Sequence, residues 1–175
     1  MQHTDFSSMP CPVARGLEQV GEWWSILILR DAYYGVTRFD EFRERLGIAP
    51  NMLTRRLKKL VEVGMLERRC YNQHPPRYEY VLTDRGRDFR SVVLAFFAWG
   101  NRHFAEEGRA VILIDTVTGK EVEPVLTDPA TGNVVEGLRY RVVPGPAATD
   151  VIRSRHAKLE QARQRSLPAD FSQGK

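Results

Sequence analysis

The chain has 175 residues, 42% of them hydrophobic, enough to bury one sizeable core and to carry a small appendage. Its 26 Lys and Arg against 22 Asp and Glu leave a net charge of +4 and a sequence pI near 9.3, a balance that favours an anionic partner. Two cysteines, Cys11 and Cys70, exclude a disulfide framework, and four scattered histidines without Cys-x-x-Cys or His-x-x-x-His spacing point to no metal site and no cofactor.

Residues 1–10 lack the apolar stretch of a signal peptide. The longest apolar run, residues 92–99, is far below the roughly 20 residues that cross a bilayer, so a cytoplasmic protein with no membrane partner is expected.

In chain order, residues 16–32, "GLEQVGEWWSILILRDA", predict a helix with Val20, Trp23, Trp24, Leu27 and Asp31 on one face and Ile26 and Leu29 opposite. A helix apolar nearly all round packs on two sides, against its own domain and a second surface, although a core helix of a monomer fits as well. "GVTRFDEFRERLG" predicts a short helix. Thr37 and Asp40 give a start resembling a capping box, Phe39, Phe42 and Leu46 make a stripe, and Gly47 stands where the helix ends.

"IAPNMLTRRLKKLVEVG" predicts a helix over 50–63. Pro50 suits its first position, and Leu53, Leu57, Leu60 and Val61 form one stripe. Asn51, Arg55, Lys58 and Glu62 face the other way, with Thr54 and Lys59 flanking. A short helix, a tight turn and a helix packed by leucines that displays Asn, Thr, Arg and Lys outward is the helix-turn-helix pattern. Those side chains reach base edges and phosphates in a major groove, though a solvated basic face reads the same way in isolation.

The stretch "LERRCYNQHPPRYEYVL" alternates with period 2 on both sides of Pro75 and Pro76, which predicts a hairpin over 67–82 with both prolines in its loop. A hairpin directly after such a helix is a wing. His74 and Arg77 sit at its tip, and Arg77 is the natural contact to a phosphate backbone or minor groove. Cys70 alternates onto the tyrosine face and is expected buried. A helix capped by Thr83 then carries Phe89, Val92, Val93, Phe96, Phe97, Gly100 and Phe104 as a stripe longer than a small winged domain needs, part of it read as a dimer interface formed with the first helix.

The segments "CPVARGLEQVGEWWSILILRDAYYGVTRFDEF", "LGIAPNMLTRRLKKLVEVGMLERRCY", "PPRYEYVLTDRG" and "AFFAWG" together resemble the HxlR-type winged helix-turn-helix transcriptional regulators, relatives of the MarR group, over roughly residues 11–108. The resemblance implies an α+β fold and a homodimer on a pseudo-palindromic operator in double-stranded DNA, with helix 50–63 in the major groove and the wing on the backbone or minor groove. Carried over by position, the DNA-binding set is Pro50, Asn51, Met52, Thr54, Arg55, Arg56, Lys58, Lys59, His74 and Arg77, with Arg56 in a phosphate or structural role. It also implies a cysteine near position 11 that senses oxidants in many members. Here Cys11, between Pro10 and Pro12 and ahead of a helix N-terminus, is either that sensor or an ordinary thiol in a flexible arm. Trp23, Trp24, Tyr33, Tyr34, Phe96 and Trp99 could line an apolar small-molecule effector pocket near the dimer interface, although aromatics at helical spacing are more often core than pocket.

The domain plan expected is a flexible arm over 1–15, the winged and dimerisation domain over 16–108, a β-hairpin extension over 109–145, then a linker, a basic helix and a disordered tail over 146–175. In the extension, "DTVTGKEVE" and "DPATGNVVE" repeat Asp, Thr-Gly, Val and Glu at the same offsets, which predicts two hairpins or a small meander. Two other classes compete. An enzyme is disfavoured, because no nucleophile elbow, phosphate loop, paired carboxylate or metal cluster is present. A winged-helix protein-interaction module is the alternative, and the cationic face of 51–62 speaks for DNA instead.

Overall fold

The computed structural model describes Met9 and residues 11–166 in two compact units, divided between Val125 and Leu126. That division falls inside the stretch 109–145, which the sequence reading treats as one extension. Most of the arm 1–15 and the tail beyond Leu167 lie outside the described residues. Among the described residues, no helix is long and apolar enough to cross a membrane.

The first unit runs α1 (Pro12–Val20), α2 (Trp23–Tyr33), α3 (Phe39–Leu46), α4 (Pro50–Glu62), β1 (Leu66–Gln73), β2 (Pro76–Leu82), α5 (Asp84–Asp88) and α6 (Arg90–His103). The single helix expected over 16–32 is two. Gly21 N donates to Leu17 O at 2.7 Å, Glu22 turns extended, and the Ser25 amide restarts the ladder on Glu22 O at 2.8 Å. A Cβ on Gly21 would stand 2.4 Å from that Leu17 oxygen, so glycine permits the corner.

Past the corner the helix is rotated from the face read in the sequence. Ser25, Ile28, Leu29, Asp31 and Ala32 are buried, whereas Trp23 is 74% exposed. Buried Asp31 is held by Arg30 at 2.8 Å and Arg45 at 3.4 Å, which supplies the paired partners a carboxylate needs inside a core.

α3 begins one residue later than expected. Glu41 rather than Asp40 closes its first turn, its carboxylate accepting from the Arg38 amide at 3.1 Å. Gly47, at φ 59°, ends the helix in the left-handed region. Phe42, Leu53, Leu57, Leu60 and Leu66 are at most 1% exposed and join Ile28 and Leu29 as the core. Full burial stabilises each such side chain by about 2 kcal/mol. The leucine stripe therefore fixes which face α4 turns outward.

β1 and β2 pair antiparallel from Leu66 with Leu82 to Gln73 with Pro76, with an irregularity between Cys70 and Asn72. Pro76 is thus a strand-end residue rather than a loop residue, in a position that asks no donor of it. The Tyr80 amide donates to Thr37 O at 2.7 Å, and Arg38 bridges Glu79, so the chain ahead of α3 props the inner edge of the wing. The helix expected after Thr83 also breaks, at Phe89, into α5 and α6.

The extension holds no regular strand among its described residues. Each repeat is instead a tight loop closed by one bridge, Ile114 with Glu121 and Thr127 with Val134. In each, the aspartate side chain accepts from the amide two residues on (Val117, Ala130), and its carbonyl accepts from the glycine amide (Gly119, Gly132). Side-chain turn bonds of this kind satisfy the chain locally, which leaves little for a longer ladder. The hydrogen bonds also hold both aspartates, Asp115 and Asp128, below the usual carboxylate range. The second unit continues through a short 3-10 turn, Gly137–Arg139, to α7 (Asp150–Ser166).

Candidate nucleic-acid interface

With Leu53, Leu57 and Leu60 inward, α4 presents Pro50, Asn51, Thr54, Arg55, Lys58 and Glu62 to solvent. The Thr54 hydroxyl donates to Pro50 O at 2.9 Å, so its oxygen is left as an acceptor facing outward. Arg55 reaches the Met52 sulfur at 3.4 Å, and Met52 itself is half-buried against the core. Lys58 lies 3.8 Å from Glu62, both well exposed. Such a surface pair contributes only a few tenths of a kcal/mol, so an incoming phosphate displaces it at little cost.

Arg56 and Lys59 are placed elsewhere. Arg56 is 19% exposed and pairs with Glu22 at 2.9 Å, and its Nε is buried with no partner among the described residues. Both residues line a cavity of about 240 Å³ with Glu18, Gly21, Glu22 and Ser25, on the flank of α4 that meets α1 and α2. Of the two roles expected for Arg56, the geometry fits the structural one.

β1 is exposed beyond Leu66 while the base of β2, through Tyr80 and Leu82, packs against the core, and His74 and Arg77 are exposed at the wing tip. Cys70 is exposed as well, which corrects the expectation that it is buried: it keeps the tyrosine face opposite Tyr78, but β1 beyond Leu66 has no core packed on either face, and its thiol reaches Asn72 O at 3.1 Å. Two arginines that periodicity did not single out belong to this surface. Arg68 lies over the Tyr78 ring at 3.5 Å, and Arg38 over Tyr71 at 4.8 Å. Their signal was the cross-strand register, which sets residue 68 diagonal to residue 78 and brings the chain before α3 to the wing.

The wing is fixed at its base by a compact joint. Thr83 donates its hydroxyl to Gly64 O at 2.6 Å and accepts from the Gly86 amide at 3.1 Å, while the Tyr33 hydroxyl donates to Gly86 O at 2.6 Å. Burial pushes the Tyr33 pKa up to about 12, so this donor keeps its proton at neutral pH.

The residues proposed for an effector pocket are not gathered. Trp24 and Tyr33 pack against the core, Trp23 and Tyr34 face solvent, and none of the set lines the cavity beside Arg56. Phe96 and Trp99 do meet, with ring centroids 5.6 Å apart, and Trp99 meets Phe104 at 4.9 Å, in an aromatic patch on the open face of α6. Cys11 precedes α1 as its N-cap and is exposed.

A family model described as HxlR-like helix-turn-helix matches residues 19–108. An uncharacterized HTH-type transcriptional regulator of Mycobacterium tuberculosis is 38% identical over 135 residues, 77% of this chain and 85% of that protein. Among solved structures, a Pseudomonas aeruginosa protein provisionally assigned as a transcription factor is 54% identical, covering 83% of this chain and 99% of its own, with a TM-score of 0.61. The redox regulator HypR in its reduced form is 36% identical over 55% of this chain and 99% of its own, with a TM-score of 0.50.

Proposed function

From a chain that belongs to the HxlR-like helix-turn-helix family, and is therefore a DNA-binding transcriptional regulator rather than an enzyme, we propose a repressor that binds a pseudo-palindromic operator as a homodimer. The observation that carries the reading is the outward face of α4, where Asn51, Thr54, Arg55 and Lys58 are exposed above the buried Leu53, Leu57 and Leu60. In the major groove Arg55 suits the paired acceptors of guanine and Asn51 those of adenine, while the Thr54 oxygen accepts from a base amino group. Lys58 takes a phosphate. Arg77 and His74 at the wing tip, with Arg68 on its tyrosine, take the backbone or minor groove.

Two copies joined through the aromatic patch of α6 present two such helices to successive major grooves, about 34 Å apart. Release follows from a change in that spacing. The exposed thiol of Cys11, at the head of α1, is the switch we favour, in keeping with the description of HypR as a redox regulator.

Selection from a random-sequence duplex pool tests the proposal, run at two salt concentrations with reduced and oxidised protein. An inverted repeat with half-sites one helical turn apart is expected to enrich, and to be lost on oxidation. Binding that selects no sequence and disappears at moderate salt overturns the operator reading, and enrichment indifferent to oxidation removes Cys11 alone.

A further inference from the structure

The second unit ends in a helix whose two faces have sorted their charges. On α7, Ile152, His156, Glu160 and Arg163 recur every three to four residues and are half-buried. His156 Nε2 lies 2.7 Å from Val142 O, and Glu160 reaches Arg141 at 3.5 Å and Arg163 at 3.9 Å. These contacts seat one side of the helix on the chain around residues 141–142. Val151, Arg155, Lys158, Leu159 and Ala162 lie on the other side, exposed, with Arg153 exposed on the flank.

The acids do not share that outer face. Asp150 sits in the first turn, where the helix dipole favours a carboxylate, and Glu160 is turned inward to its arginines. Arg153, Arg155 and Lys158 pair with no carboxylate among the described residues. A helix kept only for solubility interleaves both signs on its surface, whereas this one spends its second acid inward and leaves cations alone outside.

We propose that the outer face of α7 is a second, sequence-independent DNA contact, its Arg155 and Lys158 taking phosphates of the duplex; the proposal rests on the DNA-binding reading above. Charge complementarity decides the partner. An interfacial membrane helix needs a continuous apolar face, and here Val151 and Leu159 are isolated aliphatics separated by the cations. Phosphates spaced along a backbone need only cations on a rigid rod.

The full-length protein carrying Arg155→Gln and Lys158→Gln together provides the test, since glutamine keeps helix propensity and circular dichroism checks the helix content. Affinity is measured by anisotropy against the enriched duplex and a scrambled one across a salt series. The slope of log affinity against log salt is expected to fall by about 2 per chain on both duplexes, with the preference between them kept. A variant with Arg155→Lys is expected to hold the wild-type slope. An unchanged slope in the glutamine variant overturns the proposal, as does loss of binding to phosphatidylserine vesicles with DNA binding intact. If the wild type selects no sequence but the slope still falls, the operator reading fails while the α7 contact stands.

Discussion

The joint at Gly86 concentrates more structure per atom than any other residue of the wing base. Its amide donates to Thr83, its carbonyl accepts from Tyr33, and a Cβ built on it would lie 2.1 Å from the Met65 carbonyl oxygen and 3.1 Å from a Leu82 methyl. Backbone cannot swing aside as a flexible side chain does, so Gly86→Ala forces the wing base from the turn after α4. A loss of roughly 2–3 kcal/mol is expected in urea unfolding followed by circular dichroism, at unchanged m-value. Thr83→Ser, which keeps both hydroxyl bonds, is expected within about 0.5 kcal/mol of wild type. A Gly86→Ala protein as stable as the Thr83→Ser one would show that the approach is relaxed in solution. Thr83 was legible in the sequence, because a cap announces itself by residue type and position. Gly86 was not, because its requirement comes from a carbonyl 21 residues away along the chain.

At the scale of elements, periodicity carried as far as one helix face and stopped where a partner element was needed. The leucine stripe of α4 is local, so Asn51, Thr54, Arg55 and Lys58 were found outward as read. Arg56 and Lys59 sit at the edge of that stripe and turn to the cavity beside α1 and α2, Arg56 onto Glu22, beyond a corner at Gly21 that the apolar pattern does not mark. The same corner explains the misread face of α2, because a helix restarted at residue 23 has no obligation to keep the phase of the one before it. In the extension, Asp-x-x-Thr-Gly was legible as a repeat, but its turn bonds close each loop locally rather than seeding a ladder. The division between Arg55 and Arg56 yields a sharp comparison. Arg55→Ala is expected to weaken operator binding about 10- to 100-fold and to narrow the gap to random duplex. Arg56→Ala should leave that gap intact and lower stability by about 1 kcal/mol. Arg77→Ala should reduce the salt slope by about 1 with sequence preference kept. Equal weakening of Arg55→Ala on both duplexes, measured by competition, would remove it from the base-reading set.

At the scale of the molecule, the question is what covers α6. Val92, Phe96, Trp99 and Phe104 are 52%, 60%, 47% and 70% exposed, and the three rings lean on one another rather than on the core. An aromatic side chain buries 150–250 Å² in full, so these half-exposed rings and one valine offer about half of the roughly 800 Å² per partner of a standard interface. Val13 and Leu17 on α1, 70% and 53% exposed and four residues apart, and Trp23 at 74%, are the remaining apolar surface of the helices that precede the winged core. An interface drawing on both sets reaches the required area; either set alone does not. Phe96→Glu places a charge in the centre of the aromatic patch, where burial without a partner costs several kcal/mol, yet leaves the monomer core untouched because the residue faces solvent there. Light scattering is expected to show the wild type at twice its 20.1 kDa chain mass and Phe96→Glu at the chain mass itself. The monomer should still bind a single half-site weakly, while its advantage on the inverted repeat, which comes from linking two sites, disappears. A Phe96→Glu protein that stays dimeric and keeps that advantage would move the interface off α6, and with it the proposed route from Cys11 to the spacing of the recognition helices.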